Sequence, residues 1–291
     1  MACSKDGSIV DGNVISGNKY VCDAGSFRIA NETDVSLNLG CVSYTENDEI
    51  RKRVSEGQDS VYTCKSVWVG SVEFYAEYGT LLDTRDKHTY KTVTIGTQKW
   101  MAENLNYADS INYPGMKGRN RCYNNRLDSC TKYGRLYTWA AAMDSAGAFS
   151  TNGKNCGYNK ICSPTYPVRG ICPEGWHLPS KTEYETLFTA VGGESTASKV
   201  LKSTTGWKSN RNGTGAYGFS ALPAGEGTYD GDFCFVGSDA AFWSASEEIE
   251  YGRDNAFSRH AYLMVVGYEF DSGAIGTEAK FWLLSVRCVK D

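Results

Sequence analysis

The stretch Cys172-Pro-Glu-Gly-Trp-His-Leu-Pro-Ser-Lys-Thr-Glu-Tyr-Glu-Thr-Leu187 combines a cysteine suited to a disulfide, a Gly-Trp turn, a short apolar strand and the start of a helix. Ser180 is a favourable N-cap, and Glu183 three residues later completes a capping box. In this motif each side chain satisfies a backbone N–H that the helix start leaves unpaired. Pro179 suits the extended entry because proline has no N–H to donate.

The predicted helix has one apolar face, because Tyr184, Leu187, Phe188 and Val191 recur at helical spacing. Gly192-Gly193 predicts its end. A second helix is predicted over 133–143, and a short one over 197–203. Alternating residues predict a strand over 90–95 with 100–105 as its partner. Later strands are predicted over 219–222, 231–236, 241–246, 261–268 and 281–289.

The bulk composition limits the class of protein. At 291 residues the chain has room for one large domain and a small one. Hydrophobic residues make up 41% of it, which supports a core, whereas 31 glycines and a mean hydropathy of -0.42 indicate a loop-rich surface. The net charge of -4, without a basic stripe, argues against a nucleic-acid partner. No membrane span is expected.

Eleven cysteines, with no Cys-x-x-Cys and three histidines, indicate a disulfide framework in an oxidising compartment rather than a metal site. We therefore expect a secreted or cell-surface protein. The first residues do not resemble a signal peptide, so we expect the export signal to have been removed. Cys3 is an alternative candidate for lipidation. The favoured pairs are Cys3–Cys22, Cys41–Cys64, Cys122–Cys130, Cys156–Cys162 and Cys172–Cys288, with Cys234 left over.

Residues 1–70 contain a weak internal repeat: Tyr20-Val-Cys22 and Tyr62-Thr-Cys64 are each followed by an aromatic residue four or five positions later. Each half is predicted to be a small β-hairpin that needs a disulfide, because so short a unit buries little core. Cys22–Cys41 remains an alternative pairing. Residues 71–81 are the predicted connector, and 82–291 form the main domain.

The segment from Leu82 to Asp291 resembles the Fibrobacter succinogenes major paralogous domain (FISUMP) family. Several stretches in the same order carry this resemblance: Asp83-Thr-Arg-Asp86 with Tyr90, 93–106, Tyr133-Gly-Arg-Leu-Tyr-Thr-Trp139, Cys172-Pro-Glu-Gly-Trp-His-Leu-Pro-Ser180 with Glu183, Phe242-Trp-Ser-Ala-Ser246, and Ser285-Val-Arg-Cys-Val-Lys-Asp291. The two N-terminal hairpins resemble short modules that precede this domain.

A more distant resemblance is to the C-type lectin-like framework, carried by Cys172, His177-Leu178, Ser180, Glu183 and the last strand with Cys288. It implies an α+β fold with two helices flanking a curled antiparallel sheet and long loops on one side. The Glu-Pro-Asn, Gln-Pro-Asp and Trp-Asn-Asp sets that hold calcium and sugar in such lectins do not occur, so calcium-dependent sugar binding is not carried over. Formylglycine-generating enzymes share this general fold, but they need a reactive cysteine pair.

No catalytic constellation stands out. Glu247, Glu248 and Glu250 form an acidic run that a solvated loop explains better than an acid–base pair. His177 lies in an apolar strand and is interpreted as a satisfied core histidine, and His260 as a strand-end residue. No nucleophile elbow, zinc-binding helix or phosphate loop is present. We therefore expect no enzyme.

The sequence gives similarly little support for a metal site. The carboxylates of Asp83, Asp86, Asp230 and Asp232 are candidate calcium ligands, but turn formation explains them better. No cofactor is therefore predicted. Cys234 is interpreted as a small buried hydrophobe rather than a nucleophile.

Aromatic residues in the loops after the helices, interleaved with acidic and amide side chains, suit a sugar-binding face, because sugar rings stack on aromatic rings while polar groups bind their hydroxyls. A core position competes with this role for the two tryptophans. The predicted ligand-binding set is Trp207, Tyr217, Tyr229, Asp230, Asp232, Trp243, Tyr251 and Asn255.

The sequence thus predicts a non-enzymatic binding module, secreted or on the cell surface. We expect it to adhere to polysaccharide or to a partner protein through the loop face of residues 205–260. The alternative is a structural protein of the cell envelope that self-associates and binds no small ligand.

Overall fold

The structure is a computed structural model that describes residues 8–11, 19–23, 26–37, 39–41, 49–55, 58–65, 67–74, 76–228, 230–251 and 256–291. The chain divides into two compact units, residues 1–75 and 76–291. The predicted connector over 71–81 thus contains the end of one strand of the first unit and most of the first strand of the second.

The N-terminal unit contains two antiparallel sheets and a short helix. The first sheet consists of β1 (Ile9–Asp11), β2 (Lys19–Asp23) and β3 (Ser26–Ile29). Helix α1 (Glu32–Leu37) follows, and the second sheet consists of β4 (Glu49–Ser55), β5 (Gln58–Lys65) and β6 (Val67–Phe74). Each predicted hairpin is therefore part of a sheet with a third strand.

The internal repeat has a structural counterpart in these two sheets. Cys22 pairs with Phe27 across β2 and β3, and Cys64 pairs with Trp68 across β5 and β6. The Tyr-x-Cys motif thus ends a strand whose cysteine faces the later aromatic position. The predicted disulfide Cys41–Cys64 is present. Cys22 is also disulfide-bonded, and Cys3, its predicted partner, lies outside the described residues.

A buried carboxylate organises the segment between the two sheets. Asp34 accepts hydrogen bonds from Nη1 of Arg28 at 2.7 Å and from the backbone N–H groups of Asn31 and Cys41, each at 3.0 Å. Burial by itself would raise the pKa of Asp34, but these donors and the Arg28 charge outweigh burial and lower it. The ion pair holds α1 against β3 and the Cys41 backbone.

The strands of the C-terminal unit are, in chain order, β7 (Tyr78–Leu82), β8 (Thr89–Ile95), β9 (Gln98–Met101), β10 (Asn120–Arg121), β11 (Leu136–Tyr137), β12 (Trp176–His177), β13 (Glu226–Gly227), β14 (Phe233–Cys234), β15 (Asp239–Glu247), β16 (Glu250–Tyr251), β17 (Ala256–Phe257), β18 (His260–Gly267), β19 (Gly273–Ala279), β20 (Leu284–Ser285) and β21 (Val289–Lys290). One sheet has the order β12-β21-β9-β8-β7 and a second the order β10-β11-β20-β15-β18-β19. The pairs β13-β14 and β16-β17 are separate ribbons.

The helices of this unit are α2 (Leu127–Tyr133), α3 (Trp139–Ala142), α4 (Lys181–Ala190) and α5 (Glu194–Leu201). Helix α4 begins at the predicted capping box, with both reciprocal hydrogen bonds between Ser180 and Glu183 formed. Its apolar face packs on a core cluster that includes Trp100 and Phe219, while Trp139 and Trp243 are part of another cluster. Burying these large side chains is the main stabilising term.

The predicted helix over 133–143 is wrong for its first half. Leu136 and Tyr137 form β11, which pairs with Ser285 and Leu284 of β20. Gly134 separates this strand from α2 with a φ of 75°, and an added Cβ there would lie 2.7 Å from Cβ of Asn104. Long-range pairing and this turn override the local helical pattern.

Other strand predictions also need correction. Residues 219–222 contribute only a bridge between Ala221 and Lys202, and 281–289 contains the short β20 before β21 rather than one strand. Strand β19 was not predicted, because two glycines and a threonine weaken its pattern. The predicted disulfides Cys122–Cys130, Cys156–Cys162 and Cys172–Cys288 are present, and Cys234 has a free thiol that is half-buried.

The structure is therefore a mixed α+β fold with several sheets, short helices and disulfides. Within the described part of the chain, no helix has both the length and the apolar character needed to cross a membrane.

Candidate binding surface

Two residues of the predicted ligand set belong to the core. Trp243 has no exposed surface, and its Nε1 donates to the carbonyl oxygen of Tyr137 at 2.7 Å. Trp207 is also buried, and its Nε1 donates to Oγ of Ser203 at 3.0 Å. A sugar ring cannot stack on a face that protein atoms already cover. The prediction of a ligand contact is therefore wrong for these two residues, and the competing core interpretation holds.

The other predicted ligand residues lie on separate parts of the chain. Tyr217 is half-buried and packs against the core cluster of Trp100 and Phe219. Asp230 and Asp232 are exposed in the turn between β13 and β14, while Tyr251 lies in β16. The remaining two, Tyr229 and Asn255, lie outside the described residues.

The candidate calcium ligands have other partners. Asp83 is buried and accepts from Nε and Nη2 of Arg85 at 2.9 and 2.7 Å. Asp86 accepts from the backbone N–H of His88 at 3.0 Å, as expected for a turn. No group of three or more histidine, cysteine, aspartate or glutamate side chains among the described residues is arranged to hold a metal ion.

Tyr251 is the most prominent aromatic side chain of the predicted loop face, with 83% of its surface exposed. It lies in the ribbon β16-β17, where Tyr251 pairs with Ala256 and Glu250 pairs with Phe257. Because side chains alternate along a strand, Glu250 and Phe257 share the face opposite Tyr251. The ribbon therefore presents Tyr251 to solvent on one side and is anchored through the other.

The anchoring contacts come from Arg259 and His260, at the start of β18. Oε1 of Glu250 accepts from the backbone N–H of Arg259 at 3.2 Å and lies 2.8 Å from Nδ1 of His260. The guanidinium of Arg259 lies 4.5 Å from the ring centroid of Phe257, and its Nε donates to Oδ1 of Asn159 at 3.5 Å. Arg259 thus joins the ribbon to the loop closed by Cys156–Cys162.

That loop, residues 156–162, adds exposed apolar groups which the sequence analysis did not assign to the site. Tyr158 and Ile161 are both exposed, and the Tyr158 ring lies 5.1 Å from the ring of Phe281. A tyrosine inside a seven-residue disulfide loop is the available signal, because a closed loop can present a side chain at low entropic cost. We define the Tyr251 surface as the exposed side chains of the loop, of the ribbon and of the residue just before the ribbon: Tyr158, Ile161, Tyr251 and Ile249.

The buried ammonium group of Lys280 holds together the segments that carry this surface. Nζ of Lys280 lies 2.6 Å from Oε2 of Glu247 and 2.7 Å from Oγ of Ser258, with the carbonyl oxygens of Gly157 and Lys160 at 3.3 Å. The other carboxylate oxygen of Glu247 accepts from the backbone N–H of Cys162 at 2.6 Å. One ion pair therefore holds the 156–162 loop, β15 and the start of β18 together, and Glu247 is not the solvated loop residue that the sequence predicts.

Most of the C-terminal unit matches a known family. Residues 93–290 match the family model described as the Fibrobacter succinogenes major domain (Fib_succ_major). The chain belongs to this family. A comparison with curated proteins returns no match, and a comparison with solved structures returns none either.

The matched part of the Fibrobacter succinogenes major domain begins within β8 and ends within β21. It contains the whole Tyr251 surface together with Glu247, Ser258 and Lys280. The N-terminal unit lies outside the match, as does Asp83 with its partner Arg85.

His177 of this domain lies between two carboxylates. Its Nε2 lies 2.7 Å from Oε1 of Glu183, and its Nδ1 lies 2.7 Å from Oδ1 of Asp291. Burial by itself would lower the pKa of His177, but the hydrogen bonds and charges of the two carboxylates outweigh burial and raise it. In its protonated form His177 donates through both nitrogens and has no lone pair with which to act as a general base.

Proposed function

We propose that this chain is a non-enzymatic binding module that adheres to polysaccharide through the Tyr251 surface. The observation that supports this most directly is the exposure of Tyr251 on a ribbon whose opposite face is anchored. An aromatic ring presented on an anchored ribbon can stack against a sugar ring, because little side-chain entropy is lost on binding. A partner protein with apolar contacts is the other occupant that such a surface suits.

We also propose that the main domain has a C-type lectin-like fold. Support comes from the disulfide Cys172–Cys288, which links the segment before β12 to the segment before β21, and from helices α4 and α5 beside the antiparallel strands β18 and β19. In this proposal the ammonium of Lys280 orders the loops from inside, so binding needs no calcium. The disulfides favour a secreted or cell-surface location, with lipidation of Cys3 as an alternative mode of attachment.

The experiment is retention of the folded chain on insoluble cellulose, xylan and pectin, with calcium and with a chelator. We expect retention in both conditions and a loss of about tenfold in Tyr251→Ala, since a stacked ring contributes about 1 kcal/mol or more. Phe270→Ala is the matched control. Phe270 is 67% exposed and follows β18 at the end opposite His260, roughly 23 Å away along the strand.

Two results would contradict this proposal. Equal retention of Tyr251→Ala and the unsubstituted chain would show that the Tyr251 surface is not the site. Retention that disappears with the chelator would show that calcium is required, contrary to the proposed role of Lys280.

The structural alternative has its own supporting observation at the far end of β18. Phe235, Val236 and Phe270 are exposed there, and the backbone N–H of Tyr268 donates to the carbonyl oxygen of Ser238 at 2.9 Å, which places the two turns side by side. An apolar patch of this kind suits contact between copies of the chain. If self-association is the function, Phe270→Asp lowers the mass measured by light scattering at high concentration, while Tyr251→Ala does not.

A further inference from the structure

The C-terminal unit also contains a cleft whose lining shares no residue with the Tyr251 surface. It is a cleft of about 460 Å³ between β7, β8, the segment after β9 and the end of α2. Its volume lies in the range of small-molecule sites. The lining residues that bear on a ligand are Tyr78, Lys91, Glu103, Asn106, Lys132 and Ser220. We call it the Asn106 cleft.

Buried hydrogen bonds fix one wall of the Asn106 cleft. Asn104 donates through Nδ2 to the carbonyl oxygen of Tyr133 at 2.8 Å, and its Oδ1 accepts from Nε and Nη2 of Arg287 at 3.1 and 2.5 Å. Arg287 has no exposed surface, and it also donates to the carbonyl oxygen of Phe219. Because its amide is used on both sides, Asn104 is held rigidly and positions the neighbouring residues of the segment.

Asn106, two residues later, differs from Asn104 in one respect. Its backbone N–H donates to Oη of Tyr90 at 3.0 Å, but its Oδ1 is buried and has no hydrogen-bond partner among the described residues. An acceptor removed from solvent without a donor is unfavourable. Asn106 is one of the residues that line the cleft, so a ligand hydroxyl that reached Oδ1 from there would supply the missing donor.

The rim of the cleft combines an aromatic ring with polar groups of both charges. Tyr78 is 46% exposed, its Oη lies 3.3 Å from Oγ of Ser220, and Nζ of Lys91 lies 5.5 Å from its ring centroid. Oε2 of Glu103 accepts from the backbone N–H of Lys91 at 2.6 Å. Lys132 is also part of the lining. A ring to stack on, a carboxylate, hydroxyls and an unpaired amide oxygen match the chemistry of a sugar.

We propose that the Asn106 cleft binds a short oligosaccharide, with one sugar ring against Tyr78 and a hydroxyl donating to Oδ1 of Asn106. This deepens the proposed function and rests on it, because both sites bind saccharides. The Tyr251 surface consists of exposed side chains and suits the side of a polysaccharide, whereas the cleft suits a free end or a soluble fragment. Two lysines and one glutamate line it, so cationic side chains are in excess, and an acidic sugar is the stronger expected ligand.

The test is titration of the full chain with trigalacturonate, cellotetraose and xylotetraose, followed by calorimetry and by saturation-transfer NMR. We expect the tightest binding for trigalacturonate. Asn106→Leu and Tyr78→Ala should each weaken it by about tenfold, the loss expected for one hydrogen bond or one stacked ring. Tyr78→Ala changes an exposed residue, so it remains informative if Asn106→Leu does not fold. Phe270→Ala, at an exposed residue outside both proposed saccharide sites, is the control and should bind the fragment as the unsubstituted chain does.

The outcomes separate the two proposals. No binding of any fragment, or unchanged binding in both cleft variants, would overturn the cleft proposal. If the chain is nevertheless retained on insoluble polysaccharide through Tyr251, the proposed function stands. A third outcome is that the fragments bind, the cleft variants lose this binding, and Tyr251→Ala is still retained on the insoluble polysaccharide. This outcome would support the cleft proposal and contradict the role proposed for the Tyr251 surface.

Discussion

Nζ of Lys280 lies 2.6 Å from Oε2 of Glu247, and both side chains are removed from solvent. The same ammonium lies 4.2 Å from the ring centroid of Trp139, so it contacts the core as well as the loops. Burial lowers the pKa of Lys280, and Glu247 counteracts this effect. The pair is the point at which the core is joined to the loop and ribbon of the Tyr251 surface.

Removing the ammonium should therefore destabilise the domain strongly. Lys280→Met leaves the Glu247 carboxylate buried without its cation, which costs about 3–5 kcal/mol of unfolding free energy. Urea unfolding measures this cost, and Lys280→Met with Glu247→Gln should recover part of it. Lys181→Met, at an exposed pair with Glu185, is the control and should change stability by less than about 1 kcal/mol. A similar small change in Lys280→Met would mean that the buried pair contributes little.

His177 should make stability depend on pH in a defined direction. Its pKa is raised above 6.5 in the folded state, so its contribution is complete below pH 6.5 and is lost as the pH rises through the folded value. Burial alone would raise the pKa of Glu183, but the bonds from His177 and Ser180 outweigh burial and lower it. The contribution of Glu183 is therefore present above pH 4.5 and is lost as the pH falls through its folded value.

Thermal unfolding of the unsubstituted chain and of His177→Gln, compared from pH 4 to pH 9, measures this effect. The difference in Tm should be largest between about pH 4.5 and 6.5 and should shrink towards pH 9. NMR titration of the imidazole gives an independent reading of the raised pKa. A Tm difference that grows with pH would contradict the assignment of a doubly hydrogen-bonded imidazolium.

The disulfides should contribute unequally. Cys172–Cys288 spans a sequence separation of 116, whereas Cys122–Cys130 spans 8. In the chain-entropy account, the first stabilises by about 5 kcal/mol and the second by about 2.5 kcal/mol. Paired Cys→Ala substitutions followed by urea unfolding compare them. Equal losses would show that strain or residual structure in the unfolded chain, rather than loop closure, dominates.

Local features of this fold could be predicted from the sequence, and long-range ones could not. The capping box of Ser180 and Glu183 depends on residues three apart, and it forms as expected. By contrast, Leu136 and Tyr137 become a strand only because β20 lies beside them, about 150 residues later in the chain. No local pattern contains that information.

The same distinction applies to the site. Tyr251 and Trp243 both lie in aromatic-rich sequence where short strands alternate with loops. Tyr251 is exposed and Trp243 is in the core, and only the packing of the folded chain decides between these two outcomes. The supporting role of Lys280 depends on oxygens from Gly157, Lys160, Glu247 and Ser258, which come from distant positions. Asn106 is a candidate only because its Oδ1 is buried with no partner among the described residues, which no local sequence pattern reveals.

Glu226 should oppose folding at neutral and higher pH. Burial, with smaller contributions from the charges of Glu278 and Asp239, raises its pKa to about 7 from 4.5. A raised carboxyl pKa leaves stability intact below pH 4.5 and lowers it as the pH rises through 7, because the folded state must then bury a charge. Glu226→Gln keeps the shape of the side chain and removes that charge.

We therefore expect Glu226→Gln to be near neutral at pH 4.5 and to stabilise the domain by about 1–3 kcal/mol at pH 8.5, the scale set by 1.36 kcal/mol per pKa unit. Urea unfolding at the two pH values measures it. Glu185→Gln, on the exposed side of α4, is the control for removal of a surface charge and should change stability by less than about 1 kcal/mol. If Glu226→Gln destabilised the domain at pH 8.5, the carboxylate would be making a favourable contact there, and the charge beside Cys234 would be supporting the fold rather than opposing it.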